Sequence, residues 1–437
     1  MMEQPLKGIR VLDLTQALSG PFATMVMADL GAEVIKIERP AGDLTRNTPP
    51  HYIEGTSLYF LANNRTKKSV VINLKKDAGR QIFLDLVSKA DIVIDNFSAG
   101  VVEKLQIDHS SLSKINKRII SCSITGFGVR GDQEGRKAVD LVVQAAAGAM
   151  SITGNPNSAP ARAGVPTADL SAGLFATIGV LSALQKRSST GKGSRVETSL
   201  FHAQLNLLNY VASYALYSKT SPPPMGSGHL GTVPSQAFPT ADGWMAVDAG
   251  FDRHFLALCE VIGWKELAED ARFRTRADRA TNRDVLIPLI SNRLKTRTSD
   301  TWARALALKG VPCSPVNDVL TALQLNDSDL HNSIRPIDFG GSTFAALGTP
   351  IWFDGETEHP VAEPPLLGEH TTEVLTQLLG YDAQRMLQLS QEGAIPVVPA
   401  VASNPSSASM VDRQDEARAS NPTRSEEAKH PQVGETV

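Results

Sequence analysis

Between Ile9 and Ser199 the chain alternates short β-branched runs with segments whose apolar residues recur every third or fourth position. Ile9–Leu14, Ala32–Glu38, Lys67–Leu74, Ile92–Asp95, Arg118–Ile124 and Arg195–Ser199 read as strands. Phe22–Leu30, Ala78–Ala90 and Leu112–Asn116 carry helical spacing; Ser19-Gly20-Pro21 reads as a turn and Gly31 as a helix C-cap. Strands separated by helices imply βαβ units, hence a parallel sheet covered on both faces. In such a sheet, ligands bind in the crevice beyond the carboxyl ends of the strands.

Leu170 to Leu184 is a small-residue and apolar run with helical spacing, and Asp169 stands just before it. Phe201–Tyr217 reads as a helix with its Leu and Tyr residues on the buried face. The Pro/Gly stretch Thr220–Gly228 is the best boundary. Beyond it, a strand (Trp244–Ala249) and helices at Arg253–Ile262, Arg283–Leu294 and Thr301–Leu308 suggest a smaller mixed unit, closed by Gly310–Val316. Ser342–Phe353 reads as strands and Thr371–Leu379 as a last helix. From about Ala400 the chain is rich in Ser, Ala, Asn, Pro and Glu; it is expected to be disordered, because it cannot bury enough apolar surface to offset its ordering entropy. The expected division is 1–220, the first part of a large domain; 221–325, a small domain; 326–396, the rest of the large domain; and 397–437, the tail.

A chain of 437 residues is too long for one ordinary core, and 42% hydrophobic with 20% charged residues is a globular composition. The formal charge of -3 comes without a Lys/Arg run, which argues against nucleic acid as a partner. Three dispersed cysteines argue for a reducing compartment, and Met1–Arg10 has no apolar leader, so the expectation is cytoplasmic. Val139–Met150 is too short for a membrane span, and no membrane association is expected.

Gly126-Phe-Gly-Val-Arg-Gly131 matches a dinucleotide fingerprint in letters only, since the loop runs on and Ser151–Gly154 supplies no acid. The nine histidines form no i, i+4 pair, so no metal site is expected. No nucleophile elbow and no P-loop are present. Carboxylate chemistry and loop cations remain. Asp169, at a helix start, is either a cap or an ionised nucleophile, and local sequence leaves both open. Arg39, Lys75 and Lys104 follow strands and together could hold a phosphorylated ligand, with Arg46 and Lys137 as further loop cations.

An ordered set of motifs resembles the class III CoA-transferases, the group of formyl-CoA transferase and carnitine CoA-transferase. It runs from Leu6–Leu14 with Gly20-Pro21, through Gly31–Pro40 with Gly42-Asp43, Ala90–Phe97 with Gly100, and Thr167-Ala-Asp169 with Gly173. It continues with Thr190–Gly193, Gly310–Pro312 with Pro315-Val316, and Pro365–His370. The resemblance covers about Pro5 to Gln391. It implies an interlocked homodimer with a Rossmann-like large domain built from both chain ends and a smaller α+β domain. It implies Asp169 as the covalent nucleophile, with Arg39, Leu74, Lys75, Asn96, Phe97 and Lys137 on coenzyme A and Ala17 and Leu18 near the thioester. Position 104, usually Arg in the formyl-CoA branch, is Lys104, a point charge in place of a fork. Coenzyme A would be a co-substrate, with no permanently bound cofactor.

Racemases of the same fold need a histidine near position 139; here Lys137-Ala-Val-Asp140 has none. The glycine-rich lid of the formyl-CoA branch is replaced by Gly226–Gly231 and Pro234–Phe238. That departure turns the expectation from oxalate and formate toward succinyl-CoA or another dicarboxylyl-CoA. His229 in this loop is a candidate substrate contact.

Overall fold

The computed structural model describes residues 4–325, 333–354 and 361–397. Six strands form one parallel sheet: β1 (Arg10–Asp13), β2 (Glu33–Glu38), β3 (Lys67–Val71), β4 (Ile92–Asp95), β5 (Ile120–Thr125) and β6 (Arg195–Ser199). Their order is β3-β2-β1-β4-β5-β6, so the winding reverses between β1 and β4. This is the doubly wound arrangement, and its ligand crevice opens at that reversal.

Each sheet face has its own apolar core. On one side Val11, Ile92, Ile120 and Cys122 meet α1 (Ser19–Asp29) and a long helix that runs from Thr167 to Thr190. On the other, Leu12, Ile35 and Val93 meet α2 (Asp77–Val87) and two helices from the far end of the chain, Thr371–Leu379 and Ala383–Gln391. A separate core around Phe238, Phe255 and Trp302 holds the antiparallel strands Ser235–Pro239, Trp244–Asp248 and Cys313–Pro315 under their helices.

Several expectations are corrected. Ser19-Gly20-Pro21 is the first turn of α1 rather than a turn before it, a place where proline's missing N–H costs nothing. The helix expected over Phe201–Tyr217 is broken into α5 (Leu200–Leu207) and α6 (Tyr210–Ser218), because Asn209 takes a positive φ of 46°. Its Leu205, Leu207, Tyr210 and Tyr214 are exposed rather than buried. The strand expected over Ser342–Phe353 ends at Leu347 and pairs with Ile334–Phe339. Ala383–Gln391, not Thr371–Leu379, is the last helix among the described residues. The tail lies outside them.

Helices α3 (Asp140–Ala146) and α4 (Thr167–Thr190) frame the site. Helix α4 is long and apolar enough to cross a bilayer by composition, yet it packs on β5, β6 and α1. It buries a small-residue face, Ala168, Ala172, Gly173, Ala176 and Val180, and leaves Leu174 and Ile178 exposed. The smallness is required: a Cβ on Gly173 would stand 2.6 Å from the Ser19 carbonyl oxygen of α1.

Candidate active site

The loop leaving β1 at the winding reversal is clamped from both sides. Asn96, just past β4, accepts the Gln16 N–H at 2.9 Å and donates to the Gln16 carbonyl at 2.7 Å. Asp43 Oδ1 accepts the Ala17 N–H at 3.3 Å, and Ala17 takes φ 65°, a strained backbone for a non-glycine residue. Beneath the loop lies a buried charge network. Lys36 pairs with Asp43 at 2.9 Å and Lys67 with Asp13 at 3.2 Å. Glu38 takes Arg46 at 2.6 Å and accepts from Ser69. Burial opposes ionisation of Asp13, but Lys67, Lys36, Thr15 and Thr24 outweigh it and hold the carboxyl at about 2. Burial, helped by the Lys36 charge, brings Lys67 down to about 8 against the pull of Asp13. Arg46 is thus consumed inside the fold and is not a ligand cation.

Helix α4 begins at Thr167 after Pro166, which places Asp169 in its first turn but not at its cap. The cap comes from Asp140 of α3. Its Oδ1 accepts the Ala168 N–H at 2.9 Å and the Asp169 N–H at 3.4 Å, and its Oδ2 accepts from Gln144. The Asp169 carboxylate has no hydrogen-bond partner among the described residues. Burial, then the Asp140 charge, push it up to about 6, above an ordinary aspartate. A helix start was expected to favour the anion, but the N–H groups that would do so are taken by Asp140. Burial and like charge win.

Two cavities adjoin at the clamped loop. The first, about 730 Å³, is lined by Gln16, Ala17, Leu18, Tyr59, Asn96 and Phe97 from one side. Asp140, Arg162 and Asp169 line it from the other. The second, about 570 Å³, is lined by Arg39, Leu74, Lys75, Phe97 and Lys104. Gln16 and Phe97 belong to both. Ten of the eleven expected site residues therefore divide as follows: Asp169, Ala17, Leu18, Asn96 and Phe97 at the first cavity, Arg39, Leu74, Lys75 and Lys104 at the second with Phe97 shared, and Lys137 exposed beside the wall residues Ala138–Asp140.

His229 does not join them. Its Nδ1 accepts the Gly231 and Thr232 N–H groups at 3.0 Å, its ring stacks on Tyr210, and Arg283 bonds its carbonyl. Within one chain it orders its own loop. Gln16, Tyr59 and Arg162 were not singled out from sequence, and Asp140 only as the neighbour of a missing histidine. No local pattern marks them.

A doubly wound sheet with one cation-lined cavity joined to one that holds an unbonded carboxylate is the layout of an α/β enzyme for an anionic, two-part ligand. The chain belongs to CoA-transferase family III, whose model matches residues 6–371. It is 36% identical over 399 residues to the mouse succinyl-CoA:glutarate CoA-transferase, covering 90% of each chain. It is 38% identical over 368 residues to the acetyl-CoA:oxalate CoA-transferase of Acetobacter aceti, covering 84% of this chain and 93% of that one. A CAIB/BAIF family protein from Brucella suis has a similar solved structure, with a TM-score of 0.76 at 36% identity over 86% of this chain and all of that one. The protein is accordingly a CoA-transferase, which takes CoA thioesters as co-substrates.

Proposed function

We propose that the protein moves coenzyme A from an acyl-CoA donor, of the succinyl-CoA kind, to a carboxylic acid through covalent intermediates on Asp169. The observation that carries this reading is the unbonded, half-buried Asp169 carboxylate in the cavity wall, with Asp140 doing the capping in its place. An oxygen of Asp169 attacks the thioester carbonyl carbon; the C–S bond breaks and CoA leaves as thiolate, a good leaving group. The product is a mixed anhydride. The thiolate then attacks the aspartyl carbonyl carbon, the anhydride C–O bond breaks, and the donor acid departs. An acceptor carboxylate attacks the aspartyl thioester and expels thiolate, and the thiolate takes the acceptor acyl group from the new anhydride. Asp169 is restored, and no proton is gained or lost.

Raised basicity makes Asp169 a better nucleophile while leaving it mostly ionised at neutral pH. The first-turn N–H groups of α1, at Ser19 beside the cavity, lack intrahelical acceptors and suit the developing oxyanion. Tyr59, whose hydroxyl is kept protonated by burial and by the Asp169, Asp43 and Asp140 charges, is a second donor. Arg39, Lys75 and Lys104 suit the phosphates of the coenzyme, with Phe97 at the junction of its two ends.

The exposed apolar residues of α4, α5 and α6, among them Leu174, Ile178, Leu207 and Tyr214, support an interlocked homodimer that covers them. Hydroxylamine treatment in the presence of succinyl-CoA, read by intact-protein mass spectrometry, tests the chemistry. The adduct is expected on Asp169 and absent from Asp169→Ala, which should still bind CoA. Turnover retained in Asp169→Ala sinks the assignment.

A further inference from the structure

We infer that Arg162 is the anchor for the remote carboxylate of a dicarboxylic acyl group, and thereby the residue that makes this site select dicarboxylic acids. The inference rests on the CoA-transfer reading of the cavity. Arg162 stands in the segment between α3 and α4, and it is the one cation among the described residues lining the Asp169 cavity. Its guanidinium has no hydrogen-bond or ion-pair partner among the described residues, whereas the network cations Lys36, Lys67 and Arg46 are all paired internally. The two carboxylates of the same wall do not claim it. Asp140 spends both oxygens on α4 and on Gln144. Asp169 forms no ion pair with Arg162, although both line the cavity. Arg162 and Asp169 thus line one cavity without pairing with each other.

An unpaired cation and an unbonded carboxylate in one cavity fit a substrate with two charged ends. A short diacid presents one carboxyl carbon to Asp169 and holds the other away by its methylenes. Without a cation, an incoming dianion would meet only Asp169 and Asp140 and be repelled. A planar fork receives the remote carboxylate through two parallel N–H bonds and fixes the reach of the chain. A monocarboxylic acid of equal length has nothing to offer the fork. In a ping-pong exchange the donor acyl group and the acceptor use the same cavity, so the same arginine serves both.

Acetyl-CoA, which has no remote carboxylate, is the donor for the test, with glutarate and pentanoate as five-carbon acceptors that differ in that group alone. The full chain should favour glutarate. In Arg162→Ala the glutarate-to-pentanoate ratio of kcat/KM should fall about 10- to 100-fold, mostly through the KM for glutarate. Arg162→Lys, which keeps the charge and loses the fork, should fall between. Arg162→Glu should shift preference toward 5-aminopentanoate, whose remote group is a cation. Calorimetric CoA binding reports that each variant is folded. A ratio unchanged in Arg162→Ala overturns the inference, as does a full chain that accepts pentanoate as well as glutarate; either result leaves the transferase reading standing. If the full chain makes no CoA ester of any acid from acetyl-, succinyl- or glutaryl-CoA, the transferase reading fails and this inference with it.

Discussion

At the scale of single residues, the site turns on which of two acids does the capping. Asp140 supplies the hydrogen bonds that start α4, and this leaves the Asp169 carboxylate unbonded. The same arrangement sets a pH dependence. Asp169 is lifted to about 6 by burial first and by Asp140 second, so its ionised form, the one the proposed mechanism uses, is lost below that value. The expected profile of kcat/KM for the donor falls toward tenfold per unit below pH 6 and is flat above it. Asp140→Asn keeps an oxygen for the cap and removes the charge. Its acidic limb should move down by a fraction of a unit to about one unit. A limb that stays in place would assign the profile to another group. Asp169 was legible in sequence as an acid at a helix start; that it is not the cap was not, because the capping residue lies 29 positions earlier and meets it only through the fold.

At the scale of elements, strand ends carry the site, and one of them stores a cost. Asp95 ends β4 and is held by Ser123 at 2.8 Å and by the Phe97 N–H at 3.2 Å. Burial pushes it up to about 6 from 3.8, and Glu103 adds to the shift. The sign follows. In the unfolded chain Asp95 ionises near 3.8; in the fold it resists until about 6. Native stability is therefore lost as pH rises between these values and stays lost above them. Asp95→Asn removes this term, since its amide can donate to Ser123 Oγ while its oxygen accepts from Phe97. Urea unfolding should show the variant more stable by ~1–3 kcal/mol at pH 7.5 and nearly equal at pH 4. Equal stability at both pH values would contradict the buried-charge account.

The element periodicity also misled in one respect. The large apolar residues of α4 and of the segment Phe201–Tyr217 look like core positions, yet the small residues of α4 are buried, Leu174, Phe175 and Ile178 are exposed, and Leu181 and Leu184 are half-buried. Period counting rewards bulk, whereas close helix packing against α1 demands its absence at Gly173.

At the scale of the whole molecule, two cavities share Gln16 and Phe97, so a long ligand can lie across the winding reversal with its charged end at Arg39, Lys75 and Lys104 and its reacting end at Asp169. Arg39→Ala and Lys75→Ala should each raise KM several-fold for every acyl-CoA alike, since a phosphate contact is blind to the acyl group. A loss confined to one donor would move these residues to the acyl end. The exposed apolar helices lead to the expectation of a dimer by light scattering down to low micromolar concentration; a monomer there would leave those surfaces without a function.

The order of β-branched and helical runs determined a parallel doubly wound sheet, because local periodicity reports burial on both faces. The motif order pointed to the family, and the cations that follow strands pointed to a phosphate site, because strand ends gather in such a sheet whatever the loops do. The pairing of Asp140 with α4, the consumption of Arg46 inside the fold, the withdrawal of His229 and the freedom of Arg162 were decided only by tertiary structure. Each depends on distances between segments far apart in the chain, and no local pattern of residues encodes which charge finds a partner and which is left facing the cavity.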